Sequence, residues 1–217
     1  MKKKDIGEKL VFEREMLNAG AKNIAGVDEV GRGPLAGPVV CAAVILPLSE
    51  DLLIEGIDDS KKLKEAERER LFSLISERAI AYCIAEVSEK EIDEINILEA
   101  TKKCMKACVE GLSVEPDVVF TDGNFSIDTS IPQQNIVKGD ALSYSIGAAS
   151  ILAKVYRDRL MCEMDKLYPE YGFAKHKGYG TKAHLDAIRE YGLCEIHRRT
   201  FTKKFSEERE KNGRSDT

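Results

Sequence analysis

The stretch Ile24 to Leu46, IAGVDEVGRGPLAGPVVCAAVIL, constrains this chain more than any other. Ile24, Ala25, Gly26 and Val27 are small or β-branched, as a buried strand prefers. Asp28 and Glu29 then break the apolar run with two adjacent negative charges, and Gly31-Arg32-Gly33 follows as a tight loop carrying one cation. Pro38 to Leu46 resumes as a second apolar strand. Two strands joined by a short Gly/Pro-rich turn form a hairpin. An acid buried beside a core is costly unless it is neutralised, paired or bound to metal. Such a pair therefore marks chemistry.

Glycines at 31, 33 and 37 also fit a phosphate- or dinucleotide-binding loop. That loop needs a helix directly after it, to aim the helix N-terminus at the pyrophosphate. Pro38 to Ile45 reads as strand instead, which argues against it.

Beyond the hairpin, strands and helices alternate. The spacing predicts a helix over 6–19 and strands over 23–30 and 37–46. A helix follows in KEAERERLFSLISER, with Asp58-Asp59-Ser60 as its turn and N-cap. A third strand is expected over 79–88 and helices over 89–96 and 98–111. A short strand, Asp117 to Phe120, runs into the turn Thr121-Asp122-Gly123-Asn124, and a fifth strand covers 134–138. Leu142, Ile146, Ala149, Ala153, Tyr156, Leu160, Met164 and Leu167 step by three or four and mark the longest helix with one apolar stripe. A last helix is expected over 182–191. This order implies an α/β fold, a mixed sheet flanked by helices, in one domain. Its core spans about 22–168, a helical C-terminal extension about 169–205, and a frayed tail 206–217.

At 217 residues and 43% hydrophobic content the chain can bury a substantial core. Its charged start, MKKKDIGEKLVFERE, lacks the apolar centre of a signal peptide. The longest apolar run falls short of the about 20 residues a bilayer span needs, so a cytoplasmic protein is expected. Six cysteines without a CxxC pair fit a reducing compartment. Cys41 and Cys83 read as core residues of strands. Cys104 and Cys108, four apart on a helix, offer half a metal site that no second pair completes. The net charge of −5 is unevenly spread: from Lys175 to Lys204 eight Lys/Arg face three Asp/Glu, and all three histidines share that window. Either a basic face for phosphates or a set of solvated helix faces fits this asymmetry.

Asp28, Glu29, Asp122 and Asp140 each fall at or just beyond the end of an expected strand. Neighbouring strands lie about 5 Å apart, so these carboxylates can converge. Their mutual repulsion calls for divalent cations, and hard oxygen ligands without histidine select Mg²⁺ or Mn²⁺. Two such ions suit phosphodiester hydrolysis. Ordinary readings exist too: Asp122 as a turn former, Asp140 as a helix N-cap, and Asp158 as a surface partner of Lys154. Regular pleating points Asp28 and Glu29 to opposite faces, so Glu29 reaches a common site past the strand end or through its backbone carbonyl. Gly31-Arg32-Gly33 lets backbone approach a sugar closely, or is a plain hairpin turn. Tyr179, flanked by glycines, suits stacking beside a phosphate-binding Lys177, or packs as a loop tyrosine. A non-catalytic nucleic-acid-binding module would use the basic window alone and gives no reason for four strand-end acids.

Together these residues resemble type 2 ribonuclease H, the ribonuclease HII family of the RNase H-like superfamily. The matching pieces are GVDEVGRGPLAGPV at 26–39, DDSKKL at 58–63, TDGN at 121–124, KGD at 138–140, SILAKVYRDR at 150–159 and HKGYGT at 176–181. The resemblance implies an RNase H-like five-stranded mixed sheet with a C-terminal helical extension. It implies cleavage of RNA in RNA–DNA hybrids and on the 5′ side of single ribonucleotides in duplex DNA, with Mn²⁺ or Mg²⁺, leaving 3′-OH and 5′-phosphate ends. By motif, Asp28, Glu29, Asp122 and Asp140 match the catalytic metal ligands. Gly31, Arg32 and Gly33 match the loop that inspects the ribose 2′-OH, and Tyr179 matches the tyrosine that senses the RNA–DNA junction. Gly180 departs from the proline many relatives carry there. The tail holds no clear Gln-and-paired-aromatic clamp-binding peptide, so a sliding-clamp partner is not expected; separately, nothing in the sequence demands more than a monomer. The sister ribonuclease HIII carries a Gly-Thr-Gly loop and an N-terminal platform, which Arg32 argues against.

Overall fold

The computed structural model describes residues 6–204, so the expected frayed tail over 206–217 lies outside the described residues. β1 (Ile24–Val30) and β2 (Val39–Ile45) form the antiparallel hairpin, with Asp28 opposite Ala42. β3 (Ala81–Val87) extends it antiparallel beside β2. On the other side, β4 (Val118–Asp122) lies parallel to β1 and β5 (Gln133–Ile136) parallel to β4. The order β3-β2-β1-β4-β5 puts β1 at the centre and the C-terminal ends of β1, β4 and β5 side by side.

α1 (Ile6–Lys9) and α2 (Val11–Asn18) precede the sheet, α3 (Glu65–Arg78) links β2 to β3, and α4 (Glu89–Ile95) and α5 (Ile97–Glu110) lead on to β4. α6 (Gly139–Leu142) and α7 (Tyr144–Leu167) follow β5, and α8 (Phe173–His176) and α9 (Lys182–Tyr191) come after them. Both faces of β2 are dry. Val40, Ala42 and Val44 pack with α3 and α7, while Val39, Cys41, Ala43 and Ile45 pack with α5. A Cβ on Gly26 would collide with the Ser145 backbone, so the glycine lets α7 lie directly on β1.

Several boundaries differ from the sequence pattern. The helix expected over 6–19 is two helices broken at Leu10, because Lys9 is buried against Asp58 at 2.6 Å and Leu10 turns into the core. Asp58-Asp59-Ser60 does not cap α3; Lys64 stands at that position and Asp58 serves Lys9 instead. β5 ends at Ile136 because Lys138 adopts left-handed backbone (φ 61°) and opens α6. The longest helix begins at Tyr144, capped by the Ser143 hydroxyl, which accepts the Ile146 N–H at 3.2 Å. Its apolar stripe fails at the far half: Tyr156 and Leu167 are exposed while Arg157 is buried. A stripe presumes one dry face, whereas α7 is buried all round from Tyr144 to Ala153.

Candidate active site

The acids stand where adjacent strands end. Asp28 lies on the face of β1 that α7 covers, beside Ser150, and is 5% exposed. Its Oδ1 accepts the Glu29 N–H at 2.7 Å. Asp122 closes β4, one residue beyond Thr121, which pairs with Val27, so it sits next to Asp28. Asp122 Oδ1 accepts the Gly139 N–H at 2.7 Å, which ties β4 to the start of α6. Asp140, the second residue of α6, is 7% exposed and is not its N-cap; Lys138 is. Burial first, then the charges of Glu29 and Asp122, hold the Asp28 carboxyl well above the usual range. Burial, with Asp122 and Asp59, raises Asp140.

Glu29 obeys the pleat and leaves β1 on the face opposite Asp28. Arg32 Nη1 reaches its Oε1 at 3.3 Å, while Oε2 is buried with no partner among the described residues. Burial raises Glu29 despite the pull of Arg32. Lys61, in the DDSKKL segment, escaped the sequence pattern as a site residue. Its ammonium lies 3.6 Å from Asp140 Oδ2, and it feels Asp28, Asp59 and Asp122 as well. Two lysines one residue after a pair of acids, outside any helix, are the only local trace of it, and that pattern does not say which acid they meet.

These donors suit a hard divalent cation: all are carboxylate oxygens, three carboxyls are pushed towards protonation, and one buried oxygen is orphaned. Among the described residues, no three Asp, Glu, His or Cys side chains already converge on a point that could hold a metal ion. Asp122 is turned to Gly139, Glu29 to Arg32, and Lys61 stands against Asp140.

Loop 31–38 is fastened by two buried arginines, neither ion-paired with a carboxylate among the described residues. Arg198 donates to Gly31 O at 2.5 Å, Arg32 O at 2.9 Å and Gly37 O at 2.8 and 2.9 Å. Arg157 donates to Ala36 O, Pro38 O and Lys177 O at 2.9–3.1 Å. Burial lowers Arg157 to about 10 and Arg198 to about 9. Gly31 has φ +93°, and a Cβ there would fall on Arg157 Nε. Arg198 belongs to the basic window, so part of that charge points inward. No local pattern announces either arginine.

Tyr179 is 44% exposed, and its ring stands against Gly33, 3.8 Å from where a Cβ would lie. Lys177 is turned inward: its ammonium donates to Ala174 O and to Cys162 Sγ. The histidines are likewise not phosphate-facing. His184 Nδ1 lies 3.0 Å from Tyr179 O, so that nitrogen carries the proton. His184 Nε2 must then accept from His197 Nε2–H at 3.0 Å, and His197 Nδ1 accepts the Cys194 N–H at 3.0 Å. Burial lowers both rings to about 4, which keeps them neutral. His176 stacks on His184 at 4.5 Å.

The sequence pattern described as Ribonuclease HII matches residues 25–204. A ribonuclease HII of Acetivibrio thermocellus is 59% identical over 198 residues, covering 91% of this chain and 77% of that one. The ribonuclease H2 crystal structure from Pyrococcus horikoshii OT3 superposes with a TM-score of 0.73 at 29% identity, covering 88% of this chain and 100% of that one. The enzyme in the PCNA:RNase HII complex from Archaeoglobus fulgidus gives 0.71 at 26% identity, covering 82% and 94%. The five-stranded mixed sheet with its C-terminal helices matches these folds. With that pattern spanning most of its length and so near a relative, the chain belongs to the ribonuclease HII family, metal-dependent endoribonucleases that act on RNA–DNA hybrids.

Proposed function

We propose that this enzyme cuts the RNA strand of RNA–DNA hybrids and nicks 5′ of single ribonucleotides embedded in duplex DNA, using Mn²⁺ or Mg²⁺ bound by Asp28, Glu29, Asp122 and Asp140. The observation that carries it is the placement of Asp28 and Asp122 at the adjacent ends of β1 and β4, with Asp140 at the start of α6, Gly31-Arg32-Gly33 just past β1, and the Tyr179 ring against Gly33. Divalent cations bound there would activate a water and offset charge on the leaving 3′ oxygen. Asp28, Asp122 and Asp140 supply oxygens from the α7 side of the sheet, and Glu29 contributes its orphaned Oε2 from the other face. The Gly31 and Arg32 carbonyls are held rigid by Arg198, so the loop can meet a sugar without reorganising. Gly33 leaves room for a ribose, whose 2′-OH is the one handle separating RNA from DNA at a single position. Tyr179 offers a stacking face for the next sugar or base. Lys177 contacts phosphate only after giving up Ala174 O and Cys162.

All of these groups come from one chain, and a monomer suffices. No helix among the described residues is long and apolar enough to cross a membrane. Free cysteines suit a cytoplasmic, reducing setting. The sliding clamp of the Archaeoglobus complex belongs to that protein; the segment of this chain that would carry a clamp peptide lies outside the described residues.

The test is duplex DNA containing one ribonucleotide, incubated with Mg²⁺ or Mn²⁺ and mapped at nucleotide resolution. A nick on the 5′ side with 3′-OH and 5′-phosphate ends is expected. Cutting confined to long hybrids would remove the single-ribonucleotide activity. A cut leaving a 2′,3′-cyclic phosphate would remove the water-attack mechanism.

A further inference from the structure

Four of the six cysteines, up to 67 positions apart, meet between the sheet and α5. Cys83 pairs across β3 with Ala43, two residues from Cys41 on β2, so both side chains emerge on the α5 face. Cys104 and Cys108 stand one turn apart on α5 and face them. The thiols form a chain of side-chain contacts running Cys83, Cys108, Cys104, Cys41. Cys108 Sγ also lies 3.1 Å from Cys41 O, and Cys104 Sγ 3.2 Å from Ala85 O. Gly111, just past α5, makes room for this contact: a Cβ there would stand 2.5 Å from Cys83 Sγ. Cys41, Cys104 and Cys108 are buried, and Cys83 alone of the four reaches solvent. None of the four takes part in the chemistry assigned above.

A row of thiols can hold a soft metal or exchange electrons. No three of them share a point that could hold a metal ion among the described residues, which favours pairwise chemistry. We propose that Cys83 and Cys108 form an oxidation site: a hydroperoxide oxidises Cys83, and Cys108 closes it to a disulfide. The Cys83 thiolate attacks a peroxide oxygen, forming an S–O bond as the O–O bond breaks and hydroxide leaves. The Cys108 sulfur then attacks Cys83, an S–S bond forms, the S–O bond breaks and water leaves. Two sulfurs lose two electrons, peroxide gains them, and the two thiol protons end in two waters. The Cys108 side chain pushes the Cys83 thiol down, towards thiolate, while the same contact pushes Cys108 up, so of this pair Cys83 is the nucleophile and Cys108 the resolving thiol. Closure requires the two Cα atoms to stand within about 7 Å. Cys108 stands in the last turn of α5, which ends at Gly111. At the other end of the row Cys41 pairs across the hairpin with Glu29, so the thiols lie one strand from the acids.

The full chain, reduced and freed of metal, is exposed to stoichiometric hydrogen peroxide, then unfolded, titrated for thiols and digested without reductant. Loss of two thiols with a Cys83–Cys108 linked peptide is expected, reversed by dithiothreitol. Cys83→Ser, at a partly exposed site, should remove the linked peptide. Cys108→Ala should leave Cys83 as a sulfenic acid that dimedone labels. Oxidation confined to Cys162 and Cys194, or an unchanged rate of thiol loss in Cys83→Ser, would overturn the proposal. If Cys108→Ala does not fold, the wild-type peptide map and Cys83→Ser decide it.

Discussion

Asp28 is nearly isosteric with asparagine, so Asp28→Asn removes a charge and little else. The same substitution at Asp122 preserves an oxygen for the Gly139 N–H. Either variant is expected to lose cutting by at least about a thousandfold, on the order of 4 kcal/mol, while still shifting a hybrid duplex in a binding assay. Turnover retained within tenfold in one of them would remove that residue from the metal site. The Tyr179 ring is half-exposed and stands against Gly33. Tyr179→Ala should therefore slow nicking at a single ribonucleotide by about tenfold, roughly 1.4 kcal/mol, and leave the melting temperature in place. Equal rates for the two proteins would end its assigned role. Asp28, Glu29 and Asp122 were legible as candidates because charge interrupts or closes an apolar strand, whereas Asp140 follows β5 by four residues, on α6. Lys61 was not: its side chain is 79% exposed, and only folding carries it across to Asp140.

At the scale of elements, the C-terminal segment holds loop 31–38 in position. Arg198→Met would leave the Gly31, Arg32 and Gly37 carbonyls without their donor, costing about 3 kcal/mol or more. Faster hydrogen exchange across 31–38, with unaltered exchange in β2 and β3, is the expected signature. Uniform change throughout the sheet would mean Arg198 supports the whole fold instead. The imidazole pair sets a pH window for the same segment. Both rings are held near 4, below the ordinary 6.5, so the unfolded chain binds protons that the folded one refuses. Their stabilisation is complete above pH 6.5 and lost as pH falls towards 4. Protease cleavage within 171–198 should rise over that interval, and His184→Asn should blunt the rise. A flat profile from pH 7 to 4 would contradict the neutral-ring assignment. The basic window hid this arrangement because a histidine or arginine in sequence does not declare which way it faces.

For the molecule as a whole, the acids are a stability cost at neutral pH that bound cations would offset. Asp28, Glu29 and Asp140 are raised above 3.8, 4.5 and 3.8, so without cations the folded state keeps protons that the unfolded chain releases. That contribution is present at low pH and is lost as pH rises above those values. Manganese at a hundredfold its dissociation constant should add about 2.7 kcal/mol at pH 7, a rise of roughly 5–10 °C in Tm. Chelation should reverse it. An equal rise in the Asp28→Asn, Asp122→Asn double variant would assign the stabilisation to some other site.

Apolar runs of strand length in the hairpin, glycine-bounded turns and the charges interrupting those runs determined the mixed sheet, the order of its strands in the chain and the positions of the candidate acids. Each of those signals is local, carried within a few residues by a short β-branched apolar run or by turn chemistry. The tertiary structure alone decided the break at Leu10, the burial of Arg157 and Arg198, the inward histidines and the row of thiols. Arg198 meets Gly37 across 161 positions and Cys108 meets Cys41 across 67. Burial of that kind is set by which surfaces close on one another, and no periodicity along the chain encodes it.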